Sequence, residues 1–282
     1  MKSHTPNRTF ITVQDNLVTK EVFKIVTTEE KGLLRTIPTP PPTEIGKYYE
    51  SEEYISHTDS KETFLDKIYQ TVKKISLGKK KKIIRKYHSS AKYILDIGSG
   101  TGDLISYLKN DYSCYGTEPN DKARNISQTK GNTVFKSLED IENNKFDVIM
   151  MWHVLEHVHD IDSQIEKINT LLNKNGVLII AVPNYESYDA KYYQEDWAAY
   201  DVPRHLWHFN KTAMKSLLQK QSFFVVKILP LIFDSFYISL LSEKNKTGKQ
   251  NLLKSFFIGL KSNLKAKASK NHSSLIYIAK KD

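Results

Sequence analysis

The chain has one cysteine, Cys114, among 282 residues. An intramolecular disulfide is therefore impossible, and a reducing compartment suits the sequence. No run of about eighteen apolar residues occurs, so no membrane-spanning helix is expected. Met1-Lys2-Ser3-His4-Thr5-Pro6 lacks the apolar stretch of a secretory signal. These absences lead to the expectation of a cytoplasmic protein with no membrane partner. Arginine is scarce as well. Arg8, Arg35, Arg85, Arg124 and Arg204 are the whole set, although the net charge is +10. Phosphate recognition favours the bidentate guanidinium, so nucleic acid is a less favoured partner than the charge alone suggests. The lysines are dispersed apart from Lys79 to Lys82. That run reads as a solvated helix face or loop, and a patch for an acidic ligand is the sharper alternative.

What is present suffices for a packed core: 39% hydrophobic residues and 11% aromatics. Residues 1–45 form a β-rich extension, with short strands at Phe10–Val13 and Glu21–Val26. Pro38-Thr39-Pro40-Pro41-Pro42 closes it as a stiff linker. The extension holds no cysteine, which excludes a Cys₄ or Cys₃His zinc site. Residues 46–90 are expected to be helical. Phe64, Leu65, Ile68, Tyr69, Val72 and Ile75 fit one amphipathic helix over 61–76, with a second over 79–88.

From Tyr93 onward strands alternate with helices. Strands are expected at Tyr93–Ile97, Ser113–Thr117, Thr133–Phe135, Phe146–Met151, Val177–Val182, Phe223–Leu229 and Ser274–Ala279. The clearest helix spans Asp162–Asn173, where Ser163 and Glu166 match a capping box and Gly176 ends the segment. Residues 91–282 are therefore expected to form a doubly wound α/β domain with a mainly parallel, seven-stranded sheet. A lysine-rich, partly helical insertion, about 231–271, interrupts it before the last strand.

Asp96-Ile97-Gly98-Ser99-Gly100-Thr101-Gly102 joins an apolar strand to a helix. Glycines at such a turn let a ligand approach the backbone. A phosphate loop would end in Gly-Lys-Ser/Thr, yet Asp103 follows Gly102. A dinucleotide loop would place its last glycine one residue later. Asp96 would repel a pyrophosphate and attract a cation, which favours S-adenosylmethionine, a cationic cofactor without phosphate. Glu118 ends the next strand, where an acid can accept hydrogen bonds from both ribose hydroxyls.

With these features the stretch from Tyr93 to about Phe224 resembles class I S-adenosylmethionine-dependent methyltransferases, in the group of ubiquinone-biosynthesis O-methyltransferases and sugar C-methyltransferases. The resemblance implies a Rossmann-like fold. It implies that Gly98, Ser99, Gly100 and Gly102 cradle the amino-acid end of the cofactor, with Asp96 on its ammonium. It places Glu118 on the ribose, Pro119 along the adenosine, and Ser137 and Leu138 beside the adenine. Met151, Trp152 and His153 would lie beneath the methionine portion. Tyr48, Tyr49, Tyr54 and His57 resemble the segment that covers the cofactor in relatives, which gives Tyr54 and His57 as further contacts.

His153-Val-Leu-Glu156-His157 also matches a reversed zinc-peptidase motif letter for letter. The preceding strand and the early Asp160 argue against the long helix a peptidase needs. Relatives carry a similar Leu-Glu-His stretch near the transferred methyl, and some bind a divalent metal there through acidic residues. Here His153 stands in an acidic position, so no metal site is expected. His153, His157 and His205 are the candidate proton acceptors. Beyond the fifth strand, Tyr200, Arg204 and His208 are candidates for holding a small, possibly acidic substrate; the alternative is a loop anchored by buried Trp197, Trp207 and Phe209, with Arg204 salt-bridged to Asp201. The expected reaction is direct methyl transfer to an O, N or C nucleophile. An RNA- or protein-modifying enzyme and a non-catalytic cofactor-binding protein are the alternatives.

Overall fold

A computed structural model describes residues 8–50, 64–142 and 144–281. Its larger sheet has seven strands in the order β10-β11-β8-β7-β4-β5-β6. The strands are β4 (Tyr93–Ile97), β5 (Ser113–Thr117), β6 (Thr133–Phe135), β7 (Phe146–Trp152), β8 (Leu172–Pro183), β10 (Phe223–Pro230) and β11 (Ser274–Lys281). The pairs among β4 to β8 are parallel, and β11 runs antiparallel to both β8 and β10. The central strands carry long apolar runs. Ile149, Met150 and Met151 of β7 and Leu178 to Ala181 of β8 are all fully buried, as a sheet covered on both faces requires. The chain builds outward through β5 and β6, then returns to lay β7 on the other side of β4. That reversal opens a crevice at the carboxyl ends of β4 and β7, where open α/β sheets bind ligands.

The helices are α1 (Phe64–Tyr87), α2 (Asp103–Leu108), α3 (Asp121–Thr129), α4 (Ile161–Leu171), α5 (Tyr188–Tyr193), α6 (Lys211–Lys220), α7 (Asp234–Thr247) and α8 (Leu252–Ser269). On one face Ile84 of α1 and Leu104 and Leu108 of α2 pack over Ile94, Val148 and Ile179. On the other, Ile165 and Ile168 of α4 and Met214 and Leu218 of α6 pack over Leu95, Ile149 and Leu178. Helix α1 runs unbroken where two helices were expected. Gly78 sits inside it and costs only about 1 kcal/mol relative to alanine. Helix α4 starts one residue earlier than expected, because Asp160, not Ser163, is its cap: Asp160 Oδ1 accepts the Ser163 amide at 3.0 Å. Helices α7 and α8 form the insertion before β11. Among the described residues no helix is long and apolar enough to cross a membrane.

A second, antiparallel sheet has the order β1-β2-β3-β9. Strands β1 (Thr9–Gln14) and β2 (Val22–Thr27) correspond to the two expected ones, while β3 (Leu33–Ile37) and β9 (Trp207–Phe209) were not anticipated. Strand β9 comes from the larger domain, so residues 1–45 do not form a unit apart. Leu33 pairs with Phe209 and Arg35 with Trp207. The seam is locked by one buried cation. Arg204, 1% exposed, donates from Nη2 to Asp15 at 2.9 Å and to Asp201 at 2.7 Å. Its Nη1 reaches the Tyr48 carbonyl at 2.8 Å. Asp15 is fully buried and also caps the turn between β1 and β2 by accepting from the Leu17 and Thr19 amides. Burial works against its charge, but Arg204 and Thr19 outweigh it and hold the Asp15 carboxyl below its ordinary pKa. Removing one partner of such a buried pair leaves the other charge stranded. We expect Asp15→Ala to lower the unfolding free energy by about 3–5 kcal/mol, read as a lower urea midpoint.

Candidate active site

The loop after β4 is built for close approach. Gly98, Gly100 and Gly102 have φ values of +69°, +55° and +77°, the left-handed region that disfavours side chains. A Cβ on Gly98 would lie 2.5 Å from Val154 Cγ2, so this glycine lets the loop rest against the segment after β7. A Cβ on Gly100 would meet nothing within 4 Å; it would project into open space. Gly116 of β5 likewise leaves room for Ser99, whose amide bonds to the Thr117 carbonyl at 2.9 Å. Beneath the loop lies Asp96, 5% exposed. Burial lifts its carboxyl to about 7, against the opposing pull of Lys80. Glu118 reaches back from the end of β5, accepting the Gly100 amide and the Asn120 amide, each at 2.9 Å. Two buried polar atoms at this site, Ser99 Oγ and Trp152 Nε1, have no hydrogen-bond partner among the described residues.

Lys80 is the residue that sequence reading missed. Lys79 to Lys82 were read as a solvated face. The structure instead lays Lys80 Nζ over the Trp152 ring at 4.3 Å, where it feels the charges of Asp96 and Asp234. Its pKa is lowered because burial outweighs those two carboxylates. The signal was present in its spacing, since Lys80 is one turn from Ile84, a fully buried residue of α1.

The candidate histidines separate into different environments. His153, with φ +56°, is bound on both ring nitrogens: Nδ1 lies 3.2 Å from Glu156 and Nε2 2.9 Å from Asp234. Burial disfavours its charge, but the two carboxylates prevail and raise it to about 10. His153 is thus an ion-paired imidazolium at neutral pH, which corrects its expected role as a proton acceptor. It also removes the peptidase reading, since Leu155–His157 is a single 3-10 turn and His153 and Glu156 bind each other. His157 is pushed down to about 4 by burial and by neighbouring His205, so it is neutral. Its Nδ1 lies 3.0 Å from the Arg204 carbonyl and 3.0 Å from Tyr49 Oη. His205 Nδ1 lies 2.9 Å from the Ala199 carbonyl. A carbonyl only accepts, so both rings carry a proton on Nδ1, while His205 Nε2 faces Asp201 Oδ2 at 3.9 Å. The rings meet edge to face at 4.6 Å. Glu156, His157 and His205 each bring one ligand atom within 4.8 Å of the others, and Glu156 Oε2 has no hydrogen-bond partner among the described residues. A carboxylate with two imidazoles is a donor set for zinc or iron. Sequence reading did not bring His205 to this group and expected no metal site.

Tyr200, Arg204 and His208 are corrected as substrate ligands. They are 2%, 1% and 4% exposed, sealed beneath the small sheet. Arg204 is committed to Asp15 and Asp201, His208 Nε2 lies 2.9 Å from Thr36 Oγ1, and Tyr200 packs edge-on against Trp197. Of the remaining cofactor candidates, Pro119 is exposed beside Glu118, and Ser137 is tied to Asp140 at 2.9 Å through its amide. Leu138 is buried. Met151 lies wholly in the core and supports the loop from below. Tyr54 and His57 lie outside the described residues.

The family described as "Methyltransferase domain" matches residues 69–228, more than half of the chain. The chain belongs to this family and is a methyltransferase. No curated protein matches its sequence. Among solved structures it is similar to the magnesium protoporphyrin IX methyltransferase of Synechocystis PCC 6803 with bound SAH. That match has 13% identity and a TM-score of 0.56, covering 86% of this chain and 100% of that one. It is also similar to phosphoethanolamine N-methyltransferase 2 of Haemonchus contortus in complex with S-adenosyl-L-methionine. Here identity is 18% and the TM-score 0.51, over 72% of this chain and 52% of that one. StiE O-MT matches at 15% identity and a TM-score of 0.52, over 78% of each chain.

The raised carboxyl of Asp96 has a consequence for stability. Its contribution is fully present below the ordinary value of 3.8 and is lost as pH rises through about 7. Asp96→Asn does not titrate in this window. The variant is therefore expected to gain stability relative to the parent between pH 4 and pH 8, measured as urea midpoints at both ends. A constant difference would contradict the assignment.

Proposed function

We propose that this methyltransferase moves the sulfonium methyl of S-adenosylmethionine to an O, N or C nucleophile on a small molecule bearing an acidic group. The observation that carries the reading is the loop: three left-handed glycines over a buried carboxylate, with Glu118 at the tip of the next strand. The open space at Gly100 fits the same ligand. When bound, the cofactor supplies a methyl already activated by the sulfonium charge.

The residues of the chain supply position and charge. Asp96 holds the ammonium in its ionised form, directly or through water. Lys80, which lies in the field of Asp96, would pair with the cofactor's carboxylate. Glu118 turns its oxygens to the ribose hydroxyls, Pro119 borders the adenosine, and Ser137 and Leu138 border the adenine. Holding donor and acceptor in line accounts for much of the rate, since the leaving group needs no further activation. Where the acceptor must lose a proton, the neutral ring of His157 can take it, whereas the charged His153 cannot.

The acceptor has a route separate from the sealed stretch around Arg204. A cavity of about 350 Å³ lies between α1 and the end of β10. Trp152, Leu229 and Ile276 line its apolar part, and Lys79, Lys82 and Lys86 its basic part. Such a lining suits an apolar body carrying an anionic group.

Calorimetry with S-adenosylhomocysteine tests the cofactor reading, and no binding below millimolar concentration would sink it. Affinity is expected to rise as pH passes through about 7, where Asp96 ionises, and to lose that dependence in Asp96→Asn. Lys80→Gln should weaken binding roughly tenfold or more through loss of a charged hydrogen bond. Gly100→Ala should weaken it at a cost of only about 1–2 kcal/mol in stability, because its Cβ projects into the ligand's space rather than into the protein. A screen of acceptors with labelled methyl donor tests the acidic group. Lys82→Gln should then lower kcat/KM for acidic acceptors and spare neutral analogues.

A further inference from the structure

Helix α8 is built the wrong way round for a helix that only packs inside a protein. Its buried stripe is Ser255, Gly259, Ser262 and Ala266, all small. Gly259 lies so close to α7 that a Cβ there would come within 2.9 Å of Phe236 Cα. The large apolar side chains point outward instead. Leu253 is 75% exposed and Phe257 62%, and Phe256, Leu260 and Leu264 are exposed as well. At 3.6 residues per turn these five fall within an arc of about 100°. Phe236 of α7 extends the ridge by stacking on Phe256 at 5.4 Å. A monomeric protein seldom leaves so concentrated an apolar ridge in water.

The charge around the ridge selects its occupant. From Lys244 to Lys281 the chain contains no aspartate or glutamate. Lys261 and Lys265 are exposed and lie on the flank of the apolar arc, and exposed Lys267 stands at its carboxyl end. Lys254, on the same flank, is paired with Glu243 at 3.0 Å. Apolar residues in one arc with ammonium groups along its border form the pattern of a helix lying in a lipid interface, its lysines reaching anionic headgroups. Two copies joined through this ridge would bring the same lysine rows together, which a homodimer disfavours. The placement has a further point in its favour. Asn263 of α8 donates to the Ile232 carbonyl at 3.1 Å, and Ile232 is an exposed residue of the cavity between α1 and β10.

We propose that α8 attaches the protein peripherally to an anionic bilayer, with Leu253, Phe256, Phe257, Leu260 and Leu264 inserted among the acyl chains. Nothing in this proposal depends on the cofactor or the acceptor. The test is co-sedimentation of the full chain with vesicles of phosphatidylcholine alone and of phosphatidylcholine mixed with phosphatidylglycerol. The parent should sediment with the mixed vesicles and hardly with the neutral ones, less so as salt is raised. Phe256→Ser with Phe257→Ser should cut the bound fraction at least about tenfold. Lys261→Gln with Lys265→Gln should weaken binding and flatten its salt dependence. Both pairs are exposed, so an unchanged thermal midpoint shows that each variant is folded. Equal sedimentation of parent and Phe variants would overturn the proposal. So would failure of the parent to bind mixed vesicles, and a concentration-dependent dimer abolished by the Phe variants would then assign the ridge to a second copy.

Discussion

The arrangement of this protein depends on a buried cation, Arg204, held between Asp15 and Asp201. Its cost in lost hydration is large, and only a full set of partners offsets it. Those partners come from three places: the turn between β1 and β2, the carbonyl of Tyr48, and the segment after β8. Satisfying one guanidinium therefore fixes the small sheet against the large one. It also fixes the histidine wall, because the Arg204 carbonyl receives His157 Nδ1 and the next residue is His205. The Leu206 amide then bonds to the Glu156 carbonyl at 2.8 Å. Side chains distant in sequence come to share one corner through a residue that touches none of the chemistry.

A second electrostatic arrangement governs the glycine loop. Asp96 is deeply buried, and Lys80 partly offsets its charge. The pair holds a carboxylate at a place where water alone would not reach it, at the cost of a carboxyl that ionises only near neutrality. Asp234 shares Lys80's field and also binds His153. The loop, helix α1 and the first residue of α7 are thereby joined in one charge network around Trp152.

The centre of the large sheet was legible because Val148–Met151 and Val177–Val182 are buried on both faces and read as continuous apolar runs. Tyr93–Ile97 and Ser113–Thr117 have the bounds expected, and the loop after Ile97 carries its glycines where a left-handed backbone needs them. The small sheet was legible only in part. Strand β9 is three residues long, and its pairing with β3 spans more than 170 residues, so no local pattern announces it. That omission left two readings of Tyr200, Arg204 and His208 open, a substrate pocket or a buried loop with Arg204 paired to Asp201, and the structure has the second. Aromatics, arginine and histidine crowd together both in substrate pockets and in sealed polar seams, and only the covering sheet distinguishes the two. The lysines of α1 misled for the opposite reason. A charge run is usually solvated, and one member turned inward leaves composition unchanged.

The long span of that seam bears on how the chain is made. Asp15 and Arg204 are separated by 189 residues. During synthesis the β1–β2 hairpin emerges 189 residues ahead of Arg204, the cation its carboxylate meets. Strand β3 likewise has no neighbour on its outer edge until Trp207 has left the ribosome. Contacts of such sequence separation close late and slowly. The amino-terminal sheet is thus the first part of the described chain to be synthesised and among the last to be completed, with an open strand edge in the interval.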